Sequence, residues 1–440
     1  MTDNSDSSVS RRTFTKLGGA TLGISGLGGV VAAESSEQYI VKQHETGTID
    51  GEVVHDLSEV GYAVVRSTED RLDASRGVES FAPDTEISFT NTPEKTREYE
   101  GEAADDDYYA LQWDKQDLDI STAHETTKGE GTRVAVIDSG IDAGHPDLEV
   151  NTDLSIDFTG DGLGVGVPGG GSHGTHVAGI VGAGTAGTTG VAGTAPATEL
   201  VDFRVFSAFD GGATFGDVVA AMVYAARADC DVANLSLGAY PIPRQGLGSF
   251  YGGFLNKATT WVTKEGTLIV VAAGNDAADL QHDGDVISLP NEAAEAVSVS
   301  ATGPIGFGWD AEDPEPAESP AFYTNYGTNA LNLGAPGGDA DLDAIGTGVE
   351  WYFDLVFNTV SYPTIDGDGN YAGASRGYGW KAGTSMAAPN VAGAAALVKS
   401  ANPDYNANQV RTALEDAAEV PDGYGKEFYG AGYLNVVDAL

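Results

Sequence analysis

From about residue 108 onward, short runs of consecutive apolar residues alternate with longer stretches rich in alanine. The runs at 133–137, 201–205, 232–237 and 268–273 read as strands buried on both faces, and the stretches at 177–182 and 218–227 read as helices. Strands separated by helices predict an α/β fold with a mainly parallel central sheet covered on its faces. Upstream the pattern is different. Residues 38–90 hold two short strand-like runs, 39–42 and 62–66, with an acidic, helix-compatible stretch at 53–60 between them, and form a small α+β domain. Residues 91–107 are polar and strongly charged, as expected of an exposed linker open to proteolysis, and 108–440 form the large domain. No internal repeat is visible.

The first 33 residues need their own reading. Ser10-Arg11-Arg12-Thr13-Phe14-Thr15-Lys16 precedes an uncharged Gly/Ala/Leu/Val stretch at 17–33, a pattern similar to a twin-arginine export signal cleaved near Ala33. An uncleaved membrane anchor is the alternative, because such a stretch lies near the lower limit for crossing a bilayer. No later run is long and apolar enough to do so. The expected location is extracellular.

Charge narrows the partners. With 66 acidic against 22 basic side chains, the 440-residue chain carries a formal charge of -44. A nucleic-acid partner, which requires phosphate neutralisation, is excluded. Repulsion of this size is relieved when salt shortens the screening length, so a requirement for high salt is expected. Cys230 is the single cysteine and permits no intrachain disulfide; its place at the entrance to the 232–237 run predicts a small packed thiol.

In an open parallel sheet, ligands bind beyond the carboxyl ends of the strands. Asp138 directly follows the run at 133–137, and Asn275 follows Ala272-Ala273-Gly274. A carboxylate at a strand end can orient an imidazole through one ring nitrogen. Gly171-Ser172-His173-Gly174-Thr175-His176 leads glycine-rich chain into an apolar helix and places His173 at its N-terminus. His173 and His176 lack a Glu-x-x-His or paired-cysteine context, so no metal is assigned to them. Gly383-Thr384-Ser385-Met386-Ala387-Ala388-Pro389 opens a second helix, where Ser385 would gain the positive end of the helix dipole. Taken alone, such a serine is an ordinary cap. Gly170-Gly171-Ser172-His173-Gly174 also fits a nucleophile elbow, but that motif needs a strand before its serine and the chain here has loop composition.

Together the Asp138, His173, Asn275 and Ser385 segments resemble the subtilisin-like serine proteases (subtilases, peptidase S8), in particular the halolysin-type extracellular proteases of haloarchaea. The order Asp, His, Ser is that of subtilisin. The resemblance implies a three-layer fold in which Asp138 orients His173, His173 acts as general base and then acid, and Ser385 is the nucleophile. Asn275 and the Ser385 backbone N–H would hold the oxyanion. It further implies that an extended peptide lies between Ser236-Leu237-Gly238 and Gly211-Gly212, with Leu289-Pro290 bordering the primary specificity pocket. Residues 38–90 resemble the family's propeptides, which assist folding and then inhibit the enzyme intramolecularly, so maturation is expected within 91–107. The implied protein is a monomeric zymogen of a secreted endopeptidase that acts on proteins and peptides without a cofactor. A narrow maturation protease or transpeptidase on the same fold is the alternative reading, and a non-catalytic surface binding protein is a third.

Two segments depart from the family pattern. Where a calcium loop is expected, residues 184–190 contain only Gly, Thr and Ala, so calcium enters only as a candidate structural ion, with Asp147 as one matching ligand position. Asp366-Gly367-Asp368-Gly369-Asn370 begins like an EF-hand loop, but Gly377 stands where a bidentate glutamate is needed, and a solvated acidic turn is expected. Residues 337–383 are longer than usual for the family, and their aromatic cluster at 351–357 is expected to be an ordinary surface insertion.

Overall fold

The computed structural model describes residues 38–87, 94–98, 108–184, 190–209, 212–282 and 284–440; the export segment and most of the 91–107 linker lie outside them. Strands β1 (Gln38–Gln43), β2 (Glu52–Leu57), β3 (Tyr62–Arg66) and β4 (Val78–Pro83) form an antiparallel four-stranded sheet in the order β2-β3-β1-β4. Successive side chains leave a strand on opposite faces. Tyr62 and Val64 of β3 therefore pack into the large domain, whereas Ala63 and Val65 join Leu72, Val78 and Phe81 in a small core of their own. The helix expected over 53–60 is not formed: the segment is strand β2 followed by one 3-10 turn, Ser58–Val60. His55 and Leu57 point inward and Asp56 outward, a period of two that the density of charge concealed.

Strands β5 (Glu86–Ile87) and β6 (Glu94–Glu98) follow, so the linker is part strand rather than wholly irregular. Eight further strands make the central sheet: β7 (Arg133–Asp138), β8 (Ile156–Asp157), β9 (Glu199–Arg204), β11 (Val232–Leu235), β13 (Leu268–Ala272), β15 (Val297–Thr302), β16 (Leu333–Pro336) and β19 (Gly432–Tyr433). They run in the order β19-β16-β15-β13-β11-β7-β9-β8 with parallel neighbours throughout. Three small pairings complete the β-structure. β10 (Ala213–Thr214) takes β5, β12 (Ala239–Pro243) takes β14 (Val286–Leu289), and the hairpin β17 (Val356–Ile365) and β18 (Tyr371–Lys381) takes β6.

Alternation along β7 divides the domain into layers. Val134 and Val136 face a core shared with the His173–Gly182 and Thr384–Ala401 helices, while Ala135 and Ile137 face one shared with the Phe215–Arg227 and Leu247–Glu265 helices. The N-terminal sheet caps the second core through Ile40, Leu57, Tyr62 and Val64. The result is the expected three-layer fold with a small domain docked on one side. Cys230 is buried as expected, and burial pushes its thiol up to about 12.

The insertion departs from expectation. Leu355, Val356, Phe357, Tyr378 and Trp380 are buried in the first core, so the inner half of the hairpin belongs to the domain interior rather than to its surface. The aromatic cluster at 351–357 gives no sign of this by itself, because it is covered by a second strand more than twenty residues further along the chain.

Candidate active site

Asp138, His173 and Ser385 stand where an element ends or begins. Asp138 closes β7 and is fully buried; its carboxylate accepts the Ser139 N–H at 2.6 Å. His173 opens its helix and its Nδ1 lies 2.9 and 3.0 Å from the two Asp138 carboxylate oxygens. A carboxylate so placed favours the tautomer with the proton on Nδ1, leaving Nε2 as the basic nitrogen. Gly174 makes this approach feasible: a Cβ there would sit 2.7 Å from the Gly140 carbonyl and 3.1 Å from the Asp138 carboxylate.

Ser385 is the second residue of its helix, after Gly383 at φ 149°, a conformation that favours glycine. Its Oγ donates to the Ser236 carbonyl at 3.1 Å, and the Ser236 hydroxyl donates back to the Ser385 carbonyl at 2.8 Å. The end of β11 is thus tied to the start of the serine helix. The Asn275 Oδ1 accepts from both the N–H and the hydroxyl of Thr384, each at 2.9 Å. Its carbonyl end is consumed, so its amide NH₂ is turned away from Thr384. The helix N-terminus, the Ser385 N–H and this amide can together stabilise developing negative charge.

Leu237 is buried next to Ser236, and Gly238 leads into β12. Gly212 borders β10, where Glu86 and Ile87 of the N-terminal segment pair antiparallel with Thr214 and Ala213. Gly211 lies outside the described residues. The Leu289–Pro290 peptide is cis. No strand precedes Ser172 directly, so the elbow reading fails on structure as well as composition. His176 is a core histidine: its Nε2 lies 3.2 Å from the Val356 carbonyl and 3.1 Å from that of Gly379, and burial holds it well below its ordinary pKa.

Three positioning groups gave no signal in the sequence. Thr384 orients Asn275, and the buried Asn325 braces the same loop by accepting the N–H groups of Asp276 and Ala278 and donating to the Ala273 carbonyl. The buried Arg204 grips the glycine-rich chain upstream of His173 through Asp157 at 2.6 Å and both oxygens of Asp161 at 2.6 and 2.7 Å. Burial alone would raise the Asp161 carboxyl, but the guanidinium and the N–H groups of Leu163 and Ala208 hold it well below the usual range. These residues are recognisable only once distant strands are side by side.

Among the described residues no three His, Cys, Asp or Glu side chains gather as a metal site. The Asp147 Oδ2 accepts the Val191 N–H at 3.1 Å and the Tyr378 hydroxyl at 2.9 Å, and residues 185–189 of the expected calcium loop lie outside the described residues. Asp366 instead accepts the N–H groups of Asp368 and Asn370 in an exposed turn.

A buried carboxylate, an imidazole bonded to it and a serine at a helix N-terminus are the kinds of group that hydrolases acting by acyl transfer to serine employ. Residues 129–432 match the family model of the subtilases, Peptidase S8. The chain is 31% identical over 407 residues to an extracellular protease of Xanthomonas campestris pv. campestris, covering 84% of this chain and 60% of that protein. It is 31% identical over 333 residues to subtilisin BL of Lederbergia lenta, covering 74% of this chain and 97% of that protein. Among solved structures, a lanthipeptide protease matches at TM-score 0.60 and 25% identity, over 76% of this chain and 95% of that one. The epidermin leader peptide processing serine protease of Staphylococcus aureus shares the fold at TM-score 0.68 and 22% identity, over 91% of this chain and 97% of that one. The chain belongs to the subtilase family and is a serine endopeptidase of the subtilisin type.

Proposed function

We propose that the chain is the zymogen of a secreted endopeptidase that cuts proteins and peptides with Ser385, His173, Asp138 and Asn275. His173 takes the proton of the Ser385 hydroxyl as Oγ bonds to the scissile carbonyl carbon. The resulting oxyanion is held by the Ser385 N–H and the Asn275 amide. His173⁺, steadied by Asp138, then gives its proton to the leaving nitrogen as the C–N bond breaks. Water repeats the sequence on the acyl-enzyme and restores Ser385. No cofactor enters these steps. The observation that carries the reading is the 2.9 Å contact of the His173 Nδ1 with the buried Asp138 at the carboxyl end of β7.

Residues 38–90 act in this reading as propeptide and intramolecular inhibitor, supported by the pairing of β5 with β10 beside the Gly211-Gly212 wall. The peptide would lie between that wall and Ser236-Leu237-Gly238. Twin-arginine export, action as a monomer and a need for high salt complete the proposal, the last supported by the net charge of -44. Among the described residues no helix is long and apolar enough to cross a membrane. The match to a lanthipeptide protease supports a second reading, a narrow maturation protease.

The test refolds the full chain and its Ser385→Ala variant in molar salt and follows casein hydrolysis with the N-terminal residue of each product. The proposal expects casein cleavage and a new N-terminus within 91–107 from the parent, and an uncut, inert variant. Full activity in the variant removes Ser385 as nucleophile. A parent that trims itself but spares casein favours the maturation protease. Dialysis of the parent into low salt should abolish activity; retained activity sinks the salt requirement.

A further inference from the structure

β18 runs from Tyr371 to Lys381 and continues through Ala382, Gly383 and Thr384 into Ser385. The insertion hairpin therefore carries a sheet edge directly up to the nucleophile. That edge is taken by the chain's own segment β6, antiparallel, with Glu94 opposite Lys381, Thr96 opposite Gly379 and Glu98 opposite Gly377. Upstream in the same segment, Glu86 and Ile87 pair with Thr214 and Ala213, next to Gly212. One polypeptide, read from N- to C-terminus, is thus held as a strand first at β10 and then at β18.

The edge is firmly built. Tyr378 and Trp380 are buried, and the Gly377 and Gly379 carbonyls lie 3.0 and 3.1 Å from the Nε2 atoms of His145 and His176. Glycines at 377 and 379 add no side chains, so a docked strand meets backbone at these positions and its own side chains are little restricted. One position carries a chemical preference. Lys95, opposite Trp380, holds its ammonium 5.9 Å above the Tyr352 ring; Tyr352 packs against Trp380 at 4.8 Å and donates its hydroxyl to Glu350 at 3.2 Å.

We propose that the β18 edge from Gly377 to Lys381 is a docking strand for the stretch of substrate polypeptide that follows the scissile bond, with a basic residue preferred over Tyr352. The inference rests on the protease reading above. Segment Glu94–Glu98 fills the edge in the unprocessed chain, and substrate replaces it after processing. Main-chain pairing supplies the affinity, and the Tyr352 and Glu350 pair supplies the one preference.

The mature enzyme, obtained from the full chain, is assayed with internally quenched peptides that share one upstream sequence. One ends two residues after the cleaved bond; the others continue for eight, with Lys or Glu scanned through the extension. The extended Lys peptides should be cut with kcat/KM raised about tenfold, because the gain from the added main-chain hydrogen bonds is largely offset by the entropy of ordering the extension. N-methylation of alternate amides in the extension should remove the gain in one of its two phases. Tyr352→Ala should flatten the preference for Lys over Glu. Equal rates for short and extended peptides, with casein hydrolysis intact, overturn the docking strand and leave the protease reading standing. A mature N-terminus before Glu94 combined with no extension effect overturns it likewise. Failure to cut every peptide and casein alike would strike the protease reading instead.

Discussion

The N-terminal segment grips the large domain at two junctions, and they are made of different chemistry. At the first, Asp84 accepts the Gly216 N–H at 2.7 Å at the start of the Phe215–Arg227 helix, Gln38 donates to Asp84 at 3.0 Å, and the His55 Nε2 lies 2.8 Å from the Asp217 carboxylate. All four side chains are buried. At the second, β6 adds to β18 by strand pairing, and the Lys95 side chain is exposed. A junction built from buried titratable groups answers to pH and to single substitutions. A backbone ladder answers to neither and yields mainly to cutting or to a competing strand.

The largest expected effect freezes both junctions. Ser385→Ala should lower kcat on casein on the order of 10⁶-fold, the scale at which loss of the nucleophile acts in subtilisin itself, and leave the linker uncut. Cleavage in the linker by the purified variant would break the link between junction release and Ser385. Asn275→Leu should cost about 10² to 10³ in kcat with little change in KM, the cost expected for loss of one proposed oxyanion donor. Self-cleavage should slow in proportion; a variant slowed on casein alone would show that the linker is cut by another agent.

The next effect separates the junctions. Burial first, and then the nearby Asp217 charge, raise the Asp84 carboxyl from 3.8 to about 6. The docked state therefore binds more protons than the released state between those values. Its advantage is present below pH 4 and lost as pH rises through 6. After processing, activity should appear more slowly at pH 5 than at pH 8, on the order of tenfold in the release step. Asp84→Asn should flatten the profile. Release that is faster at pH 5, or unaltered by the substitution, would remove Asp84 from control.

How much was legible follows the same division between local and distant. Asp138 directly follows an apolar run and His173 follows glycine-rich chain, so both stand out as candidates from their own few neighbours, whereas Ser385 alone reads as a cap and becomes a candidate only with the other segments beside it. The parallel sheet was legible because its strands are buried on both faces and read as continuous apolar runs. Arg204 was silent, because Asp157 and Asp161 reach it only after β8 and β9 pair. The strand at Glu94–Glu98 was illegible for a related reason: a charged stretch has no inward face of its own and becomes a strand only against β18. The Asp84 and Asp217 neighbourhood joins residues far apart in the chain, and local pattern cannot reveal it.

The smallest expected effects compare one side chain from each junction in the uncut Ser385→Ala background. His55→Ala leaves the Asp217 carboxylate buried without its imidazole partner, which should cost about 1–3 kcal/mol. Lys95→Ala removes an exposed cation from above Tyr352, which should cost no more than about 0.5–1 kcal/mol. Denaturant titration of both variants in molar salt measures the pair. If Lys95→Ala proves the costlier, the second junction depends on a side chain rather than on its ladder, and the Lys preference assigned to substrate would then carry most of the docking energy.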